Sequence, residues 1–242
     1  MKTFEDFNID VGNKSTGKIK TQCPKCSETR KNKRDKCLSV DVDQGLFNCH
    51  NCGFSGTTKF QKKPEYIKPQ TIKLNLSKGL IDWFFKRGIT EPTLAYWKIG
   101  ESIEYFPQVS KNRTAVNFNY YRKNELINVK YRDAEKNFKM VSGAELIFYG
   151  LDNIVEMDTV YIVEGEMDAL SLHESGIYSV CSVPNGASKG NARLEYLDNC
   201  FEYFKDKKQI IICTDNDNAG IELRNELARR FGAYKCKYVE FG

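Results

Sequence analysis

Several absences narrow what this chain can be. Its 242 residues contain no apolar run approaching ~18 residues, so no membrane-spanning helix is expected. The N-terminus, "MKTFEDFNID", is acidic early and has no apolar core, so it does not read as a secretory signal, and a cytosolic setting is the default. Nine cysteines, an odd number without that signal, argue against a disulfide framework. No G-x-x-x-x-G-K-[ST] is present, which excludes a P-loop motor within these residues. What remains, at 40% hydrophobic and 29% charged, suits a soluble chain with a real core: one large domain, or a small one and a medium one.

The charge is unevenly spread. Residues 1–63 carry 13 Lys+Arg against 7 Asp+Glu, whereas the remainder carries 24 against 25. The basic excess of the first quarter would favour a polyanion, although solubility alone also explains it.

Five of the cysteines fall between 23 and 52. "CPKC" and "CHNC" make C-x2-C-x22-C-x2-C, and two such knuckles bring four thiolates into the tetrahedron that structural zinc takes. Cys23, Cys26, Cys49 and Cys52 are therefore the expected ligands, with Cys37 and His50 as substitutes the spacing ranks second. Between the knuckles "CLSVDVDQGLFNC" alternates and turns like a hairpin, so the module reads as a zinc ribbon spanning 1–58. Its "TRKNKRDK" run is a basic loop. Phe47, His50 and Phe54 lie at or near the second knuckle, where aromatics beside cations could stack bases of a single strand; Phe47 and Phe54 could equally pack the ribbon's own core. Cys181, Cys200, Cys213 and Cys236 read as small buried apolar residues.

A Lys- and Pro-containing tether over 59–75 leads to a main domain at 76–242. Ser77 caps an expected helix that Gly88 stops, and a second helix starts near Pro92. "TAVNFNYY", "LINVKYR" and "NFKMVSG" follow as an antiparallel meander within a 76–157 subdomain, with Lys130 and Arg132 on one face and Lys139 in or beside these strands. From 158 to 242 the rhythm becomes strand–helix–strand, which predicts a parallel sheet with crossover connections. The fold class is thus α+β followed by α/β.

Ligands of parallel sheets gather at the carboxyl ends of strands. Glu164 ends the first strand there, Asp215 and Asp217 ("DND") follow the third, and Asp168 falls in the first turn of the intervening helix. Four carboxylates at one edge suit Mg²⁺ or Mn²⁺, and two such ions can clamp both oxygens of a phosphoryl displacement. Turn formation, capping of the next helix by Asp217 and a preference for helix N-termini are the bland alternatives. Glu166 reads as a helix-start residue, Gly165 as the residue permitting a sharp exit, and His173 as a helix-surface residue.

"YIVEGEMDAL" followed by "CTDNDNAG" resembles the TOPRIM motif pair, and "VPNGAS" resembles the segment after the second strand of that fold. With the ribbon, the basic tether and "VKYRD…NFK" in front, the chain resembles the primase half of phage-type primase–helicases and bacterial primases, with Twinkle-like proteins close by. The resemblance implies a DNA primase that makes short RNA primers on single-stranded DNA from ribonucleoside triphosphates, working with a replicative helicase in cis or in trans, in a bacterial or phage-infected cell. It implies that Glu164, Asp168, Asp215 and Asp217 are catalytic, with Glu164, Asp215 and Asp217 holding magnesium and Glu164 either ligand or base. It also implies that Lys130, Arg132 and Lys139 meet nucleotide phosphates, and that Phe47 and His50 meet DNA. The chain ends on its fourth parallel strand, before a further acidic motif found in phage-type relatives, as a fragment cut before a helicase or a short stand-alone protein would. A TOPRIM nuclease and a catalytically silent DNA-binding module of a helicase are the rivals; a topoisomerase would need a tyrosine-bearing domain for which there is no room.

Overall fold

The computed structural model describes residues 3–58, 65–70, 74–185 and 194–240. Most of the expected tether and the end of "VPNGAS" lie outside them. The chain divides into two compact units, 1–65 and 66–242.

The first unit is a four-stranded antiparallel sheet: β1 (Lys18–Thr21), β2 (Leu38–Asp41), β3 (Leu46–Cys49) and β4 (Ser55–Thr57), in that order. The expected hairpin is β2–β3, with Val40 opposite Phe47 and Leu38 opposite Cys49. Period-2 alternation turns Leu38, Val40, Phe47 and Cys49 inward, where they join Ile9 and the other buried cysteines in a very small core. So little apolar surface cannot offset the chain entropy of ordering the unit, and a bound metal is the natural supplement.

The second unit opens with α1 (Lys78–Phe85), capped by the Ser77 side chain accepting from the Leu80 N–H, and α2 (Glu91–Tyr96), with Pro92 in its first turn. An antiparallel sheet follows, β5 (Gly100–Phe106), β6 (Lys111–Arg122), β7 (Glu125–Asp133) and β8 (Phe138–Met140), in sequential order. The meander expected from sequence thus has one more strand: "GESIEYF" pairs with β6 although its charged residues hide the alternation. The parallel sheet has the order β10-β9-β11-β12, from β9 (Thr159–Val163), β10 (Val180–Ser182), β11 (Gln209–Cys213) and β12 (Cys236–Tyr238). Its helices are α3 (Glu166–Glu174), α4 (Glu195–Phe204) and α5 (Asn218–Phe231).

One apolar core runs through this unit, from Phe84 and Leu94 through Phe118 and Tyr120 to Ile162, Leu197, Ile212 and Phe231. Gly150 has φ +74°, and a Cβ there would lie 2.6 Å from the Trp97 ring, so only glycine lets the chain pass this point. His173 is not a helix-surface residue: it is 8% exposed, with its ring 4.4 Å from that of Tyr96 and 4.8 Å from that of Tyr178, and burial lowers its pKa. Cys181 and Cys200 are buried, while Cys213 and Cys236 are half-buried.

Candidate functional site

Two centres emerge, one in each unit. In the first, the sulfurs of Cys23, Cys26, Cys49 and Cys52 all lie within 4.8 Å of one another. The Cys23–Cys52 and Cys26–Cys49 contacts are each 3.7 Å, and four thiolates around zinc at ~2.3 Å would stand about 3.8 Å apart. Backbone N–H groups of Lys25 and Cys26 point at the Cys23 sulfur, those of Asn51 and Cys52 at Cys49, and that of Phe54 at Cys52. Such knuckles stabilise thiolate charge. The Phe54 N–H pulls the Cys52 thiol down, whereas burial raises that of Cys23. The donor set fits a soft tetrahedral divalent metal.

His50 is exposed, with Nε2 2.8 Å from the Ser39 hydroxyl. Phe47 is a correction. It is 3% exposed, its ring lies 4.9 Å from Phe7 and 5.0 Å from Phe54, and it leaves no face for a base. Phe54 is only half-buried and has Lys25 Nζ 5.9 Å from its ring.

The second centre is a cleft of about 850 Å³ in unit 2, between the antiparallel sheet and the carboxyl ends of the parallel strands. Cys213 of β11 pairs with Val163 of β9, so Glu164 and the Thr214–Asp215 pair leave the sheet side by side. The Asp215 N–H donates to Glu164 Oε1 at 2.7 Å. A Cβ at Gly220 would stand 2.6 Å from the same oxygen and closer still to the Asp215 carbonyl, so glycine in the first turn of α5 is what admits Glu164. Gly165 has an ordinary extended φ of −126°, so its backbone does not require glycine; a Cβ would instead meet Asp168 Oδ2 at 2.8 Å.

Glu164, Asp168 and Asp215 line the cleft. Asp168 has exposed surface area, yet enough protein surrounds it that desolvation, and then Asp215 and Glu166, push its carboxyl up. Asp217 is not part of the lining. Its Oδ1 caps α5, accepting from the Gly220 N–H at 2.8 Å. Among the described residues the acidic set does not close into a group of three within 4.8 Å; only the cysteines do.

Lys130 and Arg132 share the cleft face of β7, as expected, but their surroundings differ. Lys130 Nζ donates to Glu166 Oε1 at 2.8 Å and Oε2 at 3.1 Å and to the Pro184 carbonyl at 2.9 Å. The Tyr120 hydroxyl donates to the same carboxylate, and burial followed by Glu166 pushes its pKa well up, so it stays a donor. Glu166, 4% exposed, is therefore not simply a helix-start residue: it is the buried partner that ties α3 to β7. Nothing in the spacing of the sequence signals this pairing.

Arg132 lies over the Trp83 ring at 4.9 Å, with Arg87 over that ring at 3.7 Å, and Phe138 stands opposite Arg132 across the β7–β8 pairing. Trp83 and Arg87 were not singled out from sequence, although their i, i+4 spacing on α1 was readable. Lys139 also lines the cleft, but it pairs with Tyr131 rather than with Lys130 or Arg132, and its Nζ is held by Glu104 at 2.7 Å.

Comparison with known proteins agrees with this architecture. A family model described as Toprim-like matches residues 161–241. The "Primase homolog protein" of Arabidopsis thaliana is 30% identical over 268 residues, covering all of this chain and 77% of that protein. The chain belongs to this primase homolog family. The "Twinkle homolog protein, chloroplastic/mitochondrial" of the same plant is 29% identical over 90% of the chain, which spans 34% of that longer protein. Among solved structures, the primase fragment of the bacteriophage T7 primase-helicase shares the fold with a TM-score of 0.56 and 23% identity, covering 92% of this chain and 89% of that one. The Aquifex aeolicus primase, with its zinc-binding and RNA polymerase domains, gives 0.53 and 13%, covering 96% and 74%. Both curated relatives are plant proteins, which lends no support to the expected bacterial or phage setting. Among the described residues no helix is long and apolar enough to cross a membrane.

Proposed function

We propose that the chain is a DNA primase that copies single-stranded DNA into short RNA primers from ribonucleoside triphosphates. One observation carries the reading: Glu164 and Asp215, from two neighbouring strand ends, line the same cleft as the cations Lys130 and Arg132. Oxygen-only donors beside cations suit a triphosphate with its divalent ions. Magnesium or manganese, when bound, would lower the cost of deprotonating the attacking 3′-hydroxyl and offset charge on the leaving pyrophosphate.

The chain's own residues do the rest. Glu164 and Asp215 hold the ion, with Asp168 at the rim and Asp217 contributing the carboxylate oxygen that does not cap α5. The Arg132 guanidinium, braced by Trp83, meets the phosphates in the two-pronged geometry that suits them. Lys130 supplies positive charge from a fixed place. Residues 1–58 form the zinc-holding, template-binding domain, with His50 and Phe54 beside the basic loop. Residues 59–75 link it to the polymerase domain at 76–242, and a replicative helicase is the expected partner. A catalytically silent DNA-binding module is the second reading, favoured by the failure of the acidic residues to close into a tight group.

The test mixes the chain with single-stranded DNA of varied sequence, four ribonucleotides and Mg²⁺ or Mn²⁺. Short RNA products that disappear in Asp215→Ala support the primase. Binding of DNA without product, even with a helicase added, overturns it in favour of the silent module, and cut DNA without RNA overturns it in favour of a nuclease.

A further inference from the structure

The metal centre contains one thiol more than a tetrahedron uses. Cys37, at the start of the β2 side of the hairpin, is 9% exposed. Its sulfur lies 3.6 Å from that of Cys49 and 3.8 Å from that of Cys26. Those are the separations the four ligands keep among themselves, 3.7 Å for each of the two closest pairs. Cys37 thus stands on the Cys26–Cys49 edge of the cluster, and no contact to Cys23 or Cys52 accompanies these two. The Arg30 guanidinium, paired with Asp35 at 2.7 Å, also lies beside Cys37. The Cys37 carbonyl accepts from the His50 N–H next to Cys49, which anchors the backbone of the fifth thiol to the second knuckle.

We propose that Cys37 is an exchangeable fifth ligand of the zinc site, able to take the place of Cys49 or Cys26 but not of Cys23 or Cys52. In the exchange the bond from metal to the Cys49 sulfur breaks and the bond to the Cys37 sulfur forms. The Cys37 thiol proton passes along the 3.6 Å sulfur–sulfur contact to the departing Cys49 thiolate. Charge and proton count are unchanged, and no oxidant or base is consumed. The soft sulfur set keeps its preference for zinc throughout, because four thiolates are bound before and after. A ribbon built this way keeps its metal, and with it its fold, when one thiol on that edge is lost to alkylation or oxidation.

The proposal rests on the metal reading of the cluster and not on primer synthesis, so the experiment measures zinc alone. The 242-residue chain and its Cys23→Ser, Cys26→Ser, Cys49→Ser and Cys37→Ser/Cys49→Ser variants are titrated with Zn²⁺ against a chromophoric chelator, with Co²⁺ spectra reporting the number of thiolates. Cys49→Ser and Cys26→Ser should keep one four-thiolate metal, with affinity lowered on the order of tenfold. Cys23→Ser and the double variant should fall by roughly a thousandfold or more and lose the four-thiolate spectrum. Cys49→Ser falling as far as the double variant overturns the proposal.

Wild-type protein provides a reading that does not depend on a variant folding. Under limiting alkylation of the zinc-loaded chain, the first adduct should be divided among Cys37, Cys49 and Cys26 with zinc retained. Adducts confined to Cys37 would show a static bystander thiol and overturn exchange. Wild-type chain that takes up no zinc would overturn the ribbon's metal reading itself, a failure distinct from the other two.

Discussion

Replacing Lys130 with methionine should destabilise the second unit by an amount the geometry sets. The Lys130 side chain is 12% exposed and the Glu166 side chain 4%. Methionine fills the stem's volume but removes three hydrogen bonds, those at 2.8, 3.1 and 2.9 Å to Glu166 and the Pro184 carbonyl. Glu166 is left sealed in with only the Tyr120 hydroxyl as its hydrogen-bonding partner among these contacts. Breaking a buried pair from one side costs about 3–5 kcal/mol. The carboxylate can escape by taking up a proton. From an unfolded-state pKa of about 4.3, that costs about 3.7 kcal/mol at pH 7, at about 1.36 kcal/mol per pH unit.

The two routes agree, and they fix the sign of the pH dependence. A carboxyl whose folded pKa is raised costs stability that grows as pH rises, so the Lys130→Met penalty should shrink by about 1.4 kcal/mol for each pH unit of acidification towards about pH 5. The double variant Lys130→Met/Glu166→Gln removes both charges and should recover to within about 1 kcal/mol of wild type. Urea unfolding followed by the fluorescence of Trp97, which is buried in this unit, reads all of it. In heat, the single variant should lose roughly 7–15 °C of Tm. A penalty under about 1 kcal/mol at neutral pH, or one of the same size at pH 5, would show that water reaches the pair and would refute the reasoning.

Three further outcomes follow from the same geometry. Chelation of metal should unfold the first unit and leave the Trp97 emission of the second unchanged, since the small core of the ribbon cannot hold without it; circular dichroism and fluorescence measured together check this. Asp168, raised above its ordinary 3.8 first by burial and then by Asp215, binds its proton more tightly folded than unfolded. It therefore costs metal-free stability as pH rises through its folded pKa, and Asp168→Asn should raise the metal-free Tm at neutral pH while reducing the further rise that Mg²⁺ gives, as thermal melts across roughly pH 4–7 would show. Trp83→Ala should weaken nucleotide binding by about 0.5–2 kcal/mol through loss of the Arg132 stack, and Arg132→Ala by more, whereas Lys139→Ala, whose ammonium is already engaged by Glu104, should weaken it less than either; equilibrium binding of a ribonucleoside triphosphate decides.

The parts legible in the sequence were those set by short spacing. The paired C-x-x-C and the alternation of apolar runs with helical stretches fixed the ribbon and the parallel sheet, and the acidic residues at two strand ends marked the cleft. Phe47 could have been placed correctly: it stands two residues before Cys49 on one strand, so an inward Cys49 requires an inward Phe47. Lys139 could not. Its side of the sheet depends on the β7–β8 turn, where Asp133 accepts from the Glu135 and Asn137 backbones and sets Tyr131 opposite Lys139. A register one residue different would have set it on the same face as Lys130 and Arg132, away from Glu104. The pairing of Lys130 with Glu166 lay further out of reach, since it joins residues 36 apart across two sheets' edges. The charges of β5 masked a strand that only its neighbour β6 defines.

Gly220 carries a consequence for any attempt to improve this protein. Within a helix, glycine costs about 1 kcal/mol relative to alanine, so a search for stabilising substitutions would select Gly220→Ala early. The vacant space beside it, however, is where the Glu164 carboxylate and the Asp215 carbonyl meet the helix. Helix strength and site shape are here opposed at a single atom. The methyl group would stand 2.2 Å from the Asp215 carbonyl oxygen, so it should push α5 away from β11 as well as displace Glu164, and the packing lost outweighs the helix propensity gained. Resistance to heat and affinity for metal, measured on that one variant, should therefore fall together.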